Sequence, residues 1–476
     1  MNRATDSITP LPAMSPATTF GRLRDWWQGL AASFMPARGT ATVDRATSRL
    51  IARLKQLFEE SKAQRGGEIS ARARARQIAA IYRAASLPQR AAILHLVTRV
   101  FAPEPTELAA AVAQMHAAED DEQMGCAEAR LRLALDAPRA TFLAQFNLLP
   151  DGVRFLVDLR ADLLELLPQE PGLEVLKVES DGLFERWFDP GFLELKRITW
   201  QTPALVLEKL MAYEAVHPIA SWSDLRNRLD TDRRCYAFFH PRLPNEPLIF
   251  VEIALLKGAP GNVQLLLDES APVHDARTAD TAVFYSISNT QKGLRGISFG
   301  NLLLKRVIED LRGDLPRLKV FATLSPLPGF RGWLEEAVSQ QQALLPGAEI
   351  AKFAAMIGHP DPASALADAL ARENWHEEPR LAEALRHVLE KLCARYLLRE
   401  KTGGHPLDHV AQFHLGNGAH VDRIYWRADT SERGFRQSYG MMVSYRYDLD
   451  EVEKNHERFL SSGRVAAAGR VSRLLD

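Results

Sequence analysis

Hydrophobic spacing divides the chain into two textures. Between residues 41 and 192, apolar side chains recur at helical intervals among Ala, Leu, Arg and Glu, with few β-branched clusters, which predicts an all-α bundle. Within it, Asp151 heads a stripe formed by Leu156, Leu159, Leu163 and Leu166, and Pro168 follows it. That pattern predicts a helix capped by Asp151, with an apolar face that needs a partner helix. An arginine-dense stretch, residues 65–76, reads as a solvated helix face rather than an RNA or membrane contact, because Glu59, Glu60 and Glu68 lie beside it.

From residue 193 to 476, Pro and Gly increase, and short aromatic or β-branched runs alternate with helical stretches, which predicts an α/β domain with a mixed sheet. Residues 235–240 and 248–256 flank the turn-rich 241–247 and predict an antiparallel hairpin. Further strands are expected at 282–289, 319–324, 421–427 and 441–449. The fold class is thus α+β and multidomain, a helical bundle followed by a sheet domain. Residues 1–40 read as a flexible tail whose Trp26, Trp27, Leu30 and Phe34 form one docking helix. A transit peptide is the alternative there, since acidic residues are few.

Composition narrows the function classes. Lys plus Arg total 59 against 60 for Asp plus Glu, so no global field draws the chain to nucleic acid or an anionic membrane. The strongest apolar run, residues 248–256, is broken by Glu252 and falls far short of the about 20 residues a spanning helix needs. Cys126, Cys235 and Cys393 lack CxxC spacing, which argues against a disulfide scaffold or a cysteine-rich zinc site and fits a reducing cytoplasm.

The clearest chemical signal is the expected strand 282–289, then Gln291-Lys292-Gly293-Leu294-Arg295-Gly296, then a helix over about 299–311. Strand, glycine turn and helix make a phosphate cradle, with Lys292 and Arg295 adding charge to the helix dipole. The dinucleotide fingerprint and the P-loop pattern are both missing. What remains resembles the pyrophosphate turn of GNAT-like acetyltransferase folds, which holds coenzyme A; an ordinary tight turn is the plain alternative. The same turn spells Gly296-Ile297-Ser298-Phe299-Gly300, so a hydrolase elbow with Ser298 as nucleophile also stands.

Ser325, in Leu324-Ser325-Pro326-Leu327-Pro328-Gly329-Phe330, places a hydroxyl at the carboxyl end of the next strand, where open sheets bind ligands, unless it only caps the turn. Beyond it lie His405, His409, His414 and His420. Pro406, Gly403-Gly404 and Asn417-Gly418 break any helix that would align them as metal ligands, so a single proton carrier is the simpler reading. His414, in Gln412-Phe413-His414-Leu415-Gly416-Asn417-Gly418, is the candidate, against a structural role for a lone histidine.

Taken in order, Glu214-Ala215-Val216-His217-Pro218, Arg233-Arg234-Cys235-Tyr236, Phe284-Tyr285-Ser286-Ile287-Ser288, residues 324–330, residues 413–418 and Tyr445-Arg446-Tyr447 closely resemble the malonyl-CoA decarboxylase family. The resemblance implies a helical domain that assembles the protein, commonly as a tetramer, and a GNAT-like catalytic domain that converts malonyl-CoA to acetyl-CoA and carbon dioxide. It implies Ser325 and His414 as the catalytic pair, Ser286 and Tyr447 in the site, and Arg295, Gly296, Ile297, Ser298, Phe299, Gly300 and Asn301 in the coenzyme stretch. Gln291, Lys292 and Gly293 complete that turn.

Some relatives carry a glutamate where this chain has Ser298, so another group is expected to orient His414. The implied chemistry is an enolate protonated by the histidine, whose ordinary pKa near ~6.5 would leave it partly charged at neutral pH. It needs neither metal nor organic cofactor. Ser472-Arg473-Leu474 is followed by Leu475-Asp476, so the terminal peroxisomal signal of animal forms is not matched, and cytoplasm is expected. Two other classes remain, a GNAT-type acyltransferase and a non-catalytic acyl-CoA-binding protein.

Overall fold

The computed structural model describes residues 45–63, 67–135, 138–297, 300–372 and 374–476. The expected tail and docking helix lie outside the described residues. Helices fill the chain as far as Glu174–Trp187, and the first strand begins at Glu194. At the centre of this part lies the helix Gly152–Leu166, whose Leu156, Leu159, Leu163 and Leu166 are all buried, as their spacing requires. It packs against the helices Leu87–Val100 and Glu174–Trp187. Phe58, Phe101, Phe142, Phe146 and Phe155 run through the same core in ring-to-ring contact.

One expected detail differs. Asp151 precedes that helix, but its side chain caps nothing; its carboxylate accepts from Arg83 Nη2 at 2.6 Å. A charged partner within reach outcompetes the helix's own N–H groups, and the residue ties two helices together instead.

The strands are β1 (Glu194–Ile198), β2 (Arg233–His240), β3 (Leu243–Leu256), β4 (Thr281–Asn289), β5 (Val320–Thr323), β6 (Ser325–Pro326), β7 (Lys401–Thr402), β8 (His405–Pro406), β9 (His420–Tyr425) and β10 (Met442–Arg446). β7 and β8 form a separate small pair. The main sheet runs β1-β2-β3-β4-β5, then β10, with β9 on β10's other side. β4 and β5 are parallel and the other neighbours antiparallel. The predicted mixed sheet is therefore present.

The β2–β3 turn is tighter than the sequence predicts. β3 begins at Leu243, so Pro244 and Pro247 lie in a strand rather than in a seven-residue loop, and the register shifts beside Phe239 absorb them. A proline gives the ladder no N–H, and a bulge is where a sheet accepts it.

β5 and β6 keep one register along β10, with Ala322 opposite Arg446 and Ser325 opposite Val443, so they are two pieces of one strand broken at Leu324. β4 pairs with β5 only from Thr281 to Phe284, then runs on to Asn289 without it. The two parallel strands part, and a cleft opens between them. A helical block, Phe330–Ser339, Gly347–Ile357, Pro362–Ala371 and Pro379–Leu398, follows β6, and its last helix packs on β9. Among the described residues, no helix is long and apolar enough to cross a membrane.

Candidate active site

The cleft between β4 and β6 is a cavity of about 340 Å³ whose walls include Ser286, Asn289, Ser325, His409 and His414. Ser325 begins β6 at the break in the strand. His414 lies in the last turn of the helix His409–Gly416, whose start is capped by buried Asp408 accepting from Ala411 N at 2.8 Å. At the helix end the chain turns through Gly418, whose φ of +81° and contact with the Val452 carbonyl leave no room for a side chain. Cap and turn together fix where the imidazole stands.

His414 Nε2 lies 3.2 Å from Ser325 Oγ, and His414 Nδ1 lies 2.7 Å from the Tyr447 hydroxyl. Ser325 in turn donates to Thr323 Oγ1 at 2.8 Å, which also accepts the Tyr445 amide at 3.0 Å. The Tyr445 ring stacks on the imidazole, centroids 4.6 Å apart and planes at 23°. Tyr447 is buried, and its hydroxyl would strand a proton if it only accepted. It therefore donates to Nδ1, which leaves the imidazole proton on Nε2, facing Ser325.

Burial decides the charge. His414 is 3 % exposed, and desolvation pushes its pKa down to about 3. The imidazole is therefore neutral at pH 7, and the partly charged histidine expected from its ordinary pKa is not what the fold provides. Burial likewise pushes the Tyr447 phenol above its ordinary range.

Ser286 stands on the β4 wall of the same cavity. Its Oγ lies 2.7 and 2.8 Å from the two oxygens of buried Glu214, which also accepts Ser288 Oγ at 3.1 Å and the Val216 and His217 amides at 2.8 Å. Across β3, Glu252 faces Ser286 and pairs with Arg228 at 2.9 Å. Desolvation, with the Glu214 charge added, pushes Glu252 up to about 8. His217, also on the cavity wall, is pushed down to about 4 by burial.

The glycine turn follows β4 directly. Lys292, Arg295 and Gly296 are exposed, Ile297 is half-buried, and the helix Gly300–Asp314 opens with Gly300 and Asn301. Lys292 and Arg295 make no side-chain hydrogen bond or ion pair among the described residues. Ser298 and Phe299, and with them the hydrolase elbow, lie outside the described residues. Two members of the expected ligand set point inward instead. Gln291 is buried and donates to Glu246 Oε1 at 2.9 Å, and Gly293 is pressed on the Val157 carbonyl, where a Cβ would collide. Both prop the turn from behind.

The structure thus brings Ser325, His414 and Tyr447 into one relay and Ser286 to its far wall. Of the other histidines, His409 and His217 share the cavity wall, whereas His405 is exposed on β8 and His420 sits on β9. Among the described residues, no cluster of three or more metal-type side chains occurs. Sequence reasoning assigned no role to Thr323, Tyr445 or Glu214. A period-two signal was there to be used, since Thr323 with Ser325, Tyr445 with Tyr447, and Ser286 with Ser288 each lie two residues apart. Only the pairing of β5 and β6 with β10 reveals that the first two pairs meet.

A helical bundle in front of a mixed sheet whose two parallel strands part around a buried Ser–His–Tyr relay defines an α+β protein with a sheltered cleft suited to proton transfer. Residues 101–188 match the family model described as malonyl-CoA decarboxylase N-terminal domain, and residues 191–476 match the malonyl-CoA decarboxylase C-terminal domain. A mitochondrial malonyl-CoA decarboxylase from Anser anser anser is 36% identical over 462 residues, covering 94% of this chain and 91% of its own. Crystal structures of malonyl-CoA decarboxylase from Rhodopseudomonas palustris and Agrobacterium vitis superpose with TM-scores of 0.79 and 0.81 at 41% and 40% identity. They cover 90% and 89% of this chain, and 99% and 100% of their own. The chain belongs to the malonyl-CoA decarboxylase family, an enzyme family of the carboxy-lyase class.

Proposed function

We propose that the protein decarboxylates malonyl-CoA to acetyl-CoA and carbon dioxide, with Ser325 and His414 at the reacting acyl group. The observation that carries this reading is the buried relay of Tyr447, His414 and Ser325, set in a cleft that runs back to Asn289 at the start of the glycine turn. The coenzyme pyrophosphate lies at the turn and the first residues of the following helix, with Lys292 and Arg295 beside it. The pantetheine arm then follows the gap between β4 and β6.

Cleavage of the carboxylate carbon from the α-carbon leaves its electron pair on the α-carbon, delocalised into the thioester oxygen as an enolate. The Ser325 hydroxyl, turned from Thr323 to the substrate, is the donor for that oxygen. His414 delivers its Nε2 proton to the α-carbon while Tyr447 supplies one to Nδ1, so the imidazole stays neutral throughout. A thioester enolate is a far stronger base than a phenolate, so the transfer runs downhill even from these neutral donors. As the product leaves, Nε2 takes a proton from water entering the cleft while Nδ1 returns its proton to the Tyr447 phenolate, which restores the starting tautomer, and the reaction consumes one proton overall. A dry cleft also disfavours the substrate carboxylate and hastens its departure.

The deciding assay is purified protein with malonyl-CoA and no acceptor. Release of acetyl-CoA and carbon dioxide in equal amounts supports the reading. An acyltransferase would do nothing without an amine, and a non-catalytic binder would hold the thioester without turnover. Three free cysteines are in keeping with work in a reducing compartment such as the cytoplasm. Assembly through the helical region, as a tetramer, is part of the same proposal, and sedimentation of the purified chain tests it.

A further inference from the structure

We infer that Arg160, a residue of the helical region, is the positioning residue that gives the glycine turn its anion-binding face. The inference rests on the reading of that turn as the coenzyme site. Arg160 is 2 % exposed, and its Nη1 donates to the Gly293 carbonyl at 2.5 Å and the Arg295 carbonyl at 3.0 Å. Its Nε and Nη2 are held by Asp181 Oδ1 at 3.0 and 2.5 Å, Lys177 holds the other Asp181 oxygen at 3.0 Å, and the Phe184 ring lies against the guanidinium.

A trans peptide carries its N–H opposite its carbonyl. With the Arg295 carbonyl fixed inward on Arg160, the next N–H, that of Gly296, points outward. Gly296 is exposed at φ +88°, and its N–H meets no acceptor among the described residues. Its neighbours are spoken for, since Leu294 N donates to Gln291 O at 3.0 Å and Ile297 N to Leu294 O at 3.0 Å. Gly293, held by the same guanidinium, brings the turn so close to the Val157 carbonyl that only glycine fits. A second strut runs from Arg154 to Glu246 at 2.9 Å and on to Gln291. Buried ion pairs contribute little net stability beside an apolar filling of equal volume, whereas a guanidinium fork fixes geometry. The helical region is therefore part of the coenzyme site.

The test uses the full chain as wild type, Arg160→Lys, Asp181→Asn and Gly293→Ala. Two readouts are taken: kcat/KM for malonyl-CoA relative to malonyl-pantetheine, which lacks the nucleotide and its phosphates, and calorimetric affinity for free coenzyme A. In Arg160→Lys and Gly293→Ala the kcat/KM ratio should fall at least about tenfold, with coenzyme A affinity falling in step. Asp181→Asn, which keeps the guanidinium and removes its counter-charge, should shift both by about threefold, and it decides the matter if the other two do not fold. Equal losses on both thioesters, or an unchanged ratio and affinity, would overturn the inference. A wild-type protein that binds no coenzyme A and treats the two thioesters alike would instead overturn the reading of the turn itself.

Discussion

The Tyr447 hydroxyl sits 2.7 Å from Nδ1 of His414, on the side of the ring away from Ser325. That contact supplies a group that can orient the imidazole without a carboxylate. A phenol in this place fixes the tautomer without adding charge, so the histidine stays neutral in a dry cleft, whereas a carboxylate would draw it toward imidazolium.

Tyr447→Phe keeps the ring and its packing and removes only the proton that backs Nδ1. Turnover should fall at least about tenfold with KM nearly unchanged, because the loss is felt where the proton moves. Steady-state kinetics on a variant with wild-type circular dichroism check this, and an undiminished kcat would remove Tyr447 from the relay.

Ser325→Ala and His414→Asn should each lower turnover at least about tenfold while the fold survives. The double variant should be little worse than either single one, since both act on the same enolate. Near-normal rates in both single variants would end the assignment.

Acid stability gives a check that needs no substrate. With His414 held near 3, far below an unfolded histidine, the unfolded chain binds a proton that the native one refuses as pH falls below about 6.5. Native stability contributed by the neutral ring is thus lost progressively toward acid, at up to about 1.4 kcal/mol per pH unit. His217 adds a loss of the same sign down to about 4, and Glu252, pushed up to about 8, opposes both above the ordinary glutamate range. Urea unfolding of wild type and His414→Gln between pH 6.5 and 4.5 isolates the His414 share. The difference in stability between the two should change with pH in favour of the variant as acid is added; parallel curves would show that His414 is charged in the native state.

Lys292→Ala with Arg295→Ala removes exposed charge at the turn and touches nothing buried. KM for malonyl-CoA should rise several-fold, roughly threefold or more, with kcat held, and the wild-type advantage should shrink as salt rises to about 1 M. A KM insensitive to both changes would place the phosphates elsewhere.

The covalent order of the chain already carried the broad plan. Helical spacing with its Leu156 to Leu166 stripe, the change of texture near residue 193, and strands such as that ending at Asn289 follow from local rules, because side-chain periodicity must match the period of the element that buries it. The ordered motifs singled out Ser325 and His414, which the fold brings to 3.2 Å of each other. Other features depend on distance along the chain. Thr323 and Tyr445 are 122 residues apart and become neighbours only through the β5–β10 register. Arg160 and Arg295 are 135 apart, and nothing local to either announces that one fixes the other's carbonyl. The charge of His414 was likewise hidden, since an ionisable group's pKa is set by the water it loses and the dipoles it meets, and both are supplied by residues remote in sequence. Local pattern fixes what a segment becomes; only packing fixes what each polar group faces.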